Sequence, residues 1–101
     1  MYGKAKILIV DDDRVNLKVL EGMLRNLGAE IHLALSGEDA LALASEHDFA
    51  LVLLDVMMPG IDGFQTAEQL RSRNGTEDIP IIFVTAISKE QRHVFKCSPS
   101  G

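Results

Sequence analysis

Three short runs of apolar residues punctuate the chain: Ile7-Leu8-Ile9-Val10, Leu51-Val52-Leu53-Leu54 and Ile81-Ile82-Phe83-Val84. Runs this short and continuous, bounded by turn signals, read as strands buried on both faces, as in parallel sheets covered by helices. Residues 30–34, Glu30-Ile31-His32-Leu33-Ala34, alternate instead and read as a half-exposed edge strand. Between the strands, apolar positions recur at helical spacing. They are Leu17, Leu20, Leu24 and Leu27 within 14–27, Ala40, Leu41 and Ala44 within 37–46, and Phe64, Ala67 and Leu70 within 63–72. Asp13, Ser36 and Asp62 are the expected N-caps. Gly28 stands where a left-handed residue would close the first helix. Ser88 opens a weaker fourth helical pattern. Strand and helix therefore alternate, which predicts right-handed crossovers and an α/β sandwich.

In such sheets ligands gather outside the carboxyl ends of the strands. Those ends carry the polar chemistry of this chain. The first run ends in Asp11-Asp12-Asp13, the second in Asp55, and the third in Thr85-Ala86. If the runs are neighbouring parallel strands, two or three carboxylates and one hydroxyl converge on one spot. Like charges crowded there repel unless a cation neutralises them. Oxygen-only ligands at a shallow site suit a hard divalent cation such as Mg²⁺. Adjacent acids at a strand end splay apart, so one of Asp11 and Asp12 can bind the ion directly while the other holds a bound water. Asp13 then serves as the helix cap. After Asp55, Pro59-Gly60 suits the central positions of a type II turn, which would hold the chain beside Asp55 in one shape. Ala86 would leave room for a group bound by the Thr85 hydroxyl.

Composition narrows the functions available. The chain has 101 residues, 47% hydrophobic and 25% charged, enough for one small globular domain. Its net charge of -5 and the lack of a dense basic cluster argue against direct nucleic-acid binding. No apolar run approaches membrane-spanning length, and the N-terminus has no signal-peptide core. The single Cys97 cannot form an internal disulfide. These features fit a cytoplasmic protein.

Taken together, the motifs Ile9-Val10-Asp11-Asp12-Asp13, Leu53-Leu54-Asp55-Val56-Met57-Met58-Pro59-Gly60-Ile61-Asp62-Gly63 and Phe83-Val84-Thr85-Ala86 closely resemble the response-regulator receiver domain of two-component signalling. The resemblance covers residues 5 to about 96. It implies a flavodoxin-like, doubly wound parallel sheet in the order 2-1-3-4. It implies that Asp55 is the phosphoacceptor, that Asp12 is a direct Mg²⁺ ligand and Asp11 a water-mediated one. The carbonyl of Met57 would complete the protein's share of the metal shell, and Thr85 would be the switch hydroxyl. The implied partner is a sensor histidine kinase or phosphotransfer protein. Such a domain is a phosphoacceptor, catalysing at most its own phosphorylation and dephosphorylation.

The chain also departs from that family. Receivers continue through a fifth strand ending in Lys and a fifth helix, whereas few residues follow Thr85 here. Lys89 and Lys96 fall too early, and Lys4 and Lys6 lie at the wrong end of the first strand. The expectation is a C-terminally truncated receiver over 1–96 with an unrelated tail over 97–101, slow to be phosphorylated. Its open edge at Ile81–Val84 is expected to drive homo-oligomerisation. A first alternative is a non-phosphorylated fragment that pairs with another receiver or a kinase. A more remote one is a haloacid-dehalogenase-type phosphatase, in which Asp11 would be the nucleophile and Asp13 the acid/base.

Overall fold

The computed structural model describes residues 4–58 and 60–84. Four strands appear among them: β1 (Lys6–Val10), β2 (Glu30–Ala34), β3 (Leu51–Asp55) and β4 (Ile81–Val84). Three α-helices separate them: α1 (Arg14–Leu24), α2 (Gly37–Glu46) and α3 (Gly63–Arg71). The sheet order is β2-β1-β3-β4 and every pairing is parallel. This is the doubly wound order expected from the sequence, with β2 at one edge.

The continuous apolar runs divide their side chains between two cores, because successive strand residues point to opposite faces. Leu8, Val10, Val52 and Leu54 pack with Ala40, Leu41 and Ala44 of α2 and Ala67 and Leu70 of α3. Ile7, Ile9 and Leu53 pack instead with Leu17 of α1, flanked by Leu20 and Leu24. Helices thus pack on both faces of the sheet, and the central strands β1 and β3 are covered on both.

The caps form as expected. Asp13 accepts from the Val15 N–H at 2.9 Å, and Ser36 accepts from the Asp39 N–H at 3.0 Å. Asp62 and Gln65 form a reciprocal capping box at the start of α3. Two boundaries differ from the sequence reading. The first helix ends at Leu24, and its remaining turn, Arg25–Leu27, tightens to a 3₁₀ helix closed by Gly28 at φ 76°. Such tightening satisfies terminal carbonyls, here by the Gly28 N–H donating to Arg25 O at 3.3 Å. Asp55 is the last residue of β3 and not the first of the loop, because the ladder continues to the pair Asp55 and Val84. The helix expected from Ser88, the lysines at 89 and 96, and the tail from Cys97 lie outside the described residues.

At the amino end of the sheet, away from Asp11, Lys6 Nζ lies 3.1 Å from His47 Nδ1. His32 Nε2 lies 2.6 Å from Glu30 Oε2, and this bond holds the Glu30 carboxyl below its usual range. Lys6 is therefore engaged at the far end, as its position in the sequence implied.

Two glycines test the packing from opposite directions. A Cβ on Gly63 would run into the Asp55 carbonyl oxygen and would stand 2.7 Å from Val56 Cα. Gly63→Ala is expected to cost about 1–3 kcal/mol by overpacking against backbone. Gly22, inside α1, has nothing within 4 Å of such a Cβ. Gly22→Ala should stabilise by up to about 1 kcal/mol through helix propensity. Urea unfolding of both variants checks this, and equal effects would contradict the packing described.

Candidate metal and phosphoacceptor site

Parallel pairing of β1 with β3 sets Val10 opposite Leu54. The next residues, Asp11 just past β1 and Asp55 at the last position of β3, therefore stand side by side at the carboxyl edge of the sheet. Each is only 2% exposed. Asp12 follows, turned further toward solvent. Carboxylate oxygens of Asp11, Asp12 and Asp55 lie within 4.8 Å of one another. The structure thus brings together the three acids singled out from the sequence.

Burying a carboxylate is expensive unless donors satisfy it. Those donors come from the chain immediately around the site. The Asp11 N–H donates to Ala34 O at 3.1 Å, tying the turn to β2. Asp11 Oδ1 accepts from the Asp13 N–H at 2.9 Å, and its Oδ2 accepts from Asn16 Nδ2 at 3.3 Å. Asp55 Oδ1 accepts from the Met57 N–H at 3.3 Å. Among the described residues no buried side-chain polar atom lacks a hydrogen-bond partner.

The loop after Asp55 is anchored from both sides. Met58 is buried in the larger core, while Met57 is 69% exposed at the rim. Gly60 takes φ 76°, the left-handed conformation its turn position demands, although Pro59 lies outside the described residues. The Gly63 N–H donates to Val56 O at 3.2 Å, seating the first turn of α3 on the end of β3. The missing Cβ at Gly63 permits that approach.

Asp13 stands apart from the metal-competent trio, as the N-cap of α1. The acid/base role that the phosphatase alternative required of it conflicts with that position. Thr85 lies outside the described residues. Its predecessor Val84 is the register partner of Asp55, so the third strand end does run toward the acids. Two contributors were not singled out from the sequence: Asn16 and the close approach at Gly63. The Asp-x-x-Asn spacing from the cap Asp13 was the available signal for Asn16, since it places the amide in the first helical turn.

The donor set fits a hard divalent cation: three carboxylates, convergent, oxygen-only and partly open on the Asp12 side. Comparison with known proteins agrees with this chemistry. The family model described as "Response regulator receiver domain" matches residues 7–98. The chain belongs to that family, the receiver domains of two-component signalling. It is similar to response regulator PleD of Caulobacter vibrioides, 41% identical over 83 residues, covering 82% of this chain but 18% of PleD. It therefore spans less than a fifth of that relative's length. Among solved structures it is similar to the receiver domain of a Pseudomonas aeruginosa sensor histidine kinase, at 31% identity and a TM-score of 0.78. That match covers 90% of this chain and 75% of the other, whose structure has a magnesium ion coordinated in the active-site cleft. It is similar also to response regulator TrrA of Thermotoga maritima in complex with Mg²⁺-BeF, at 36% identity and a TM-score of 0.76. There the match covers 87% of this chain and 75% of TrrA. Receiver domains thus occur both in response regulators and in histidine kinases.

The crowding itself is testable without any ligand. Two unit charges 4.8 Å apart repel by about 1 kcal/mol even at water-like dielectric. Asp12→Asn removes one charge and leaves the buried pair in place. In chelator, this variant should unfold about 1 kcal/mol later than wild type in a urea titration. A loss of stability instead would show that the Asp12 charge is held by net favourable contacts.

Proposed function

We propose that this domain takes a phosphoryl group on Asp55 from a histidine kinase or phosphotransfer protein, with Mg²⁺ held by Asp11, Asp12 and Asp55. The observation that carries the proposal is the convergence of three carboxylates within 4.8 Å at the carboxyl edge of a parallel sheet. The Met57 carbonyl is the proposed backbone ligand, on the residue whose N–H already turns to Asp55. The ion, when bound, supplies positive charge that offsets the crowded acids and the phosphoryl oxygens.

The chain's own part is nucleophile and alignment. A carboxylate oxygen of Asp55 attacks phosphorus and an O–P bond forms. The N–P bond to the donor imidazole breaks, its electron pair stays on nitrogen, and that nitrogen takes up a proton. The Met57 N–H and the Gly63 contact hold Asp55 in one orientation while this happens, which is where positioning contributes to rate. The Thr85 hydroxyl is proposed to bond a phosphoryl oxygen. The product gains roughly −1.5 to −2 charges, by comparison with other phosphorylated residues. No described helix is long and apolar enough to cross a membrane. We place the domain in the cytoplasm, acting as a phosphoacceptor and catalysing at most its own phosphorylation and dephosphorylation.

An assembly follows from the sheet edge. Among the described residues β4 pairs only with β3, and Ile82 and Phe83 are 51% and 43% exposed. An apolar strand edge is a template for another strand, and the proposed partner is a second copy of the chain. Sedimentation at micromolar concentration should give a dimer or larger species, and replacing Ile82 by Lys should return a monomer. A wild-type monomer would remove this part of the proposal.

The phosphoacceptor assignment is read most simply by intact mass. A small-molecule phosphodonor with Mg²⁺ should add one phosphoryl group to wild type and none to Asp55→Asn. Chelation should suppress the product. Addition to Asp55→Asn in equal yield would move the acceptor elsewhere.

A further inference from the structure

Donors of different origin reach the two carboxylate oxygens of Asp11. Oδ1 receives a backbone N–H, from Asp13 at 2.9 Å, and Oδ2 receives a side chain, Asn16 Nδ2 at 3.3 Å. The distinction matters because the terminal torsion of an Asp side chain is broad and roughly two-fold. One donor on one oxygen leaves the carboxylate free to swing about it. A second donor on the other oxygen fixes the plane.

The placement of Asn16 is also unusual for its position. It is the third residue of α1, and that helix already has its cap in Asp13. An amide there ordinarily faces water or competes for backbone groups. Here it is half-buried and reaches back five positions to a carboxylate that is 2% exposed. It brings hydrogen-bonding capacity to the acid cluster without adding charge.

We infer that Asn16 is a positioning residue for the divalent-cation site, locking the plane of Asp11 so that its oxygens face the ion. This inference rests on the proposed Mg²⁺ site. Asn16 is not offered as a ligand: it acts through Asp11. Outer-shell partners of this kind typically contribute 10–100-fold to metal affinity. Asn16→Ala should therefore weaken binding at least about tenfold.

Mn²⁺ binding, read by loss of the free-ion signal in electron paramagnetic resonance, measures affinity without reference to phosphorylation. Wild type should bind, and Asn16→Ala should bind about tenfold or more weakly; its unfolding midpoint in chelator, expected to fall with the loss of a donor to a buried carboxylate, checks that the variant is folded where binding is measured. Asn16→Leu keeps the γ-branched outline and favours the helix, so it covers the case in which the Ala variant folds poorly. It should show the same loss of affinity. In an Asp11→Ala background, Asn16→Ala should have no further effect, which a generally structural role would not produce. Unchanged affinity in both Asn16 variants, with wild type binding, would overturn the inference and leave the metal site standing. An equal further loss in the Asp11→Ala background would overturn it too. Absence of Mn²⁺ and Mg²⁺ binding by wild type would overturn the metal site and this inference with it.

Discussion

The parallel ladder between β1 and β3 is the constraint on which the rest depends. Ile7 to Val10 stand opposite Leu51 to Leu54, so the strands finish together and the next residues, Asp11 and Asp55, must be neighbours. The register is held by hydrophobic packing on both faces. A slip of one residue would exchange the side chains facing α1 with those facing α2 and α3. The energy that places the acids is therefore spent in the core, not at the site. Carboxylates that repel one another can be held within 4.8 Å because apolar residues leave the backbone no other register.

The surroundings of the acids convert that placement into a defined shape. Donors reach Asp11 from Asp13 and Asn16, and Asp55 from Met57, all from the two loops and the helix turn that follow the strands. Gly63 lets α3 begin against the Asp55 backbone, and Met58 pins the intervening loop to the core while Met57 stays at the rim. Like charges in close quarters are locally unfavourable, and such violations mark functional sites in otherwise consistent sequences.

Much of this was legible in the amino-acid order. Continuous apolar runs identified the buried strands, the alternation of 30–34 identified the edge, and three polar caps marked the helix starts. Asp11, Asp12 and Asp55 stood out because acids at strand ends have few structural uses in combination. What was hidden depended on geometry beyond one element. The 3₁₀ turn after Leu24 follows from how the last carbonyls are satisfied, which side-chain periodicity does not record. Asp55 falls inside β3 because Val84 pairs with it, a long-range fact. Asn16 reads as an ordinary surface amide until the strand end sets the rotamer of Asp11 five residues earlier. Gly63 reads as part of a turn, and its contact with the Asp55 carbonyl emerges only when α3 is docked.

The central claim is that packing of β1 against β3 builds a divalent-cation site at the carboxyl edge of the sheet. Titration of Mg²⁺ into isotopically labelled protein, followed by backbone amide chemical shifts, addresses it directly. The account predicts saturable shifts concentrated at Asp11 to Asp13 and Asp55 to Met57, with β2 and the amino ends of the strands unmoved. No saturable shift, or shifts centred on other acids such as Glu46 and Asp48, would contradict it.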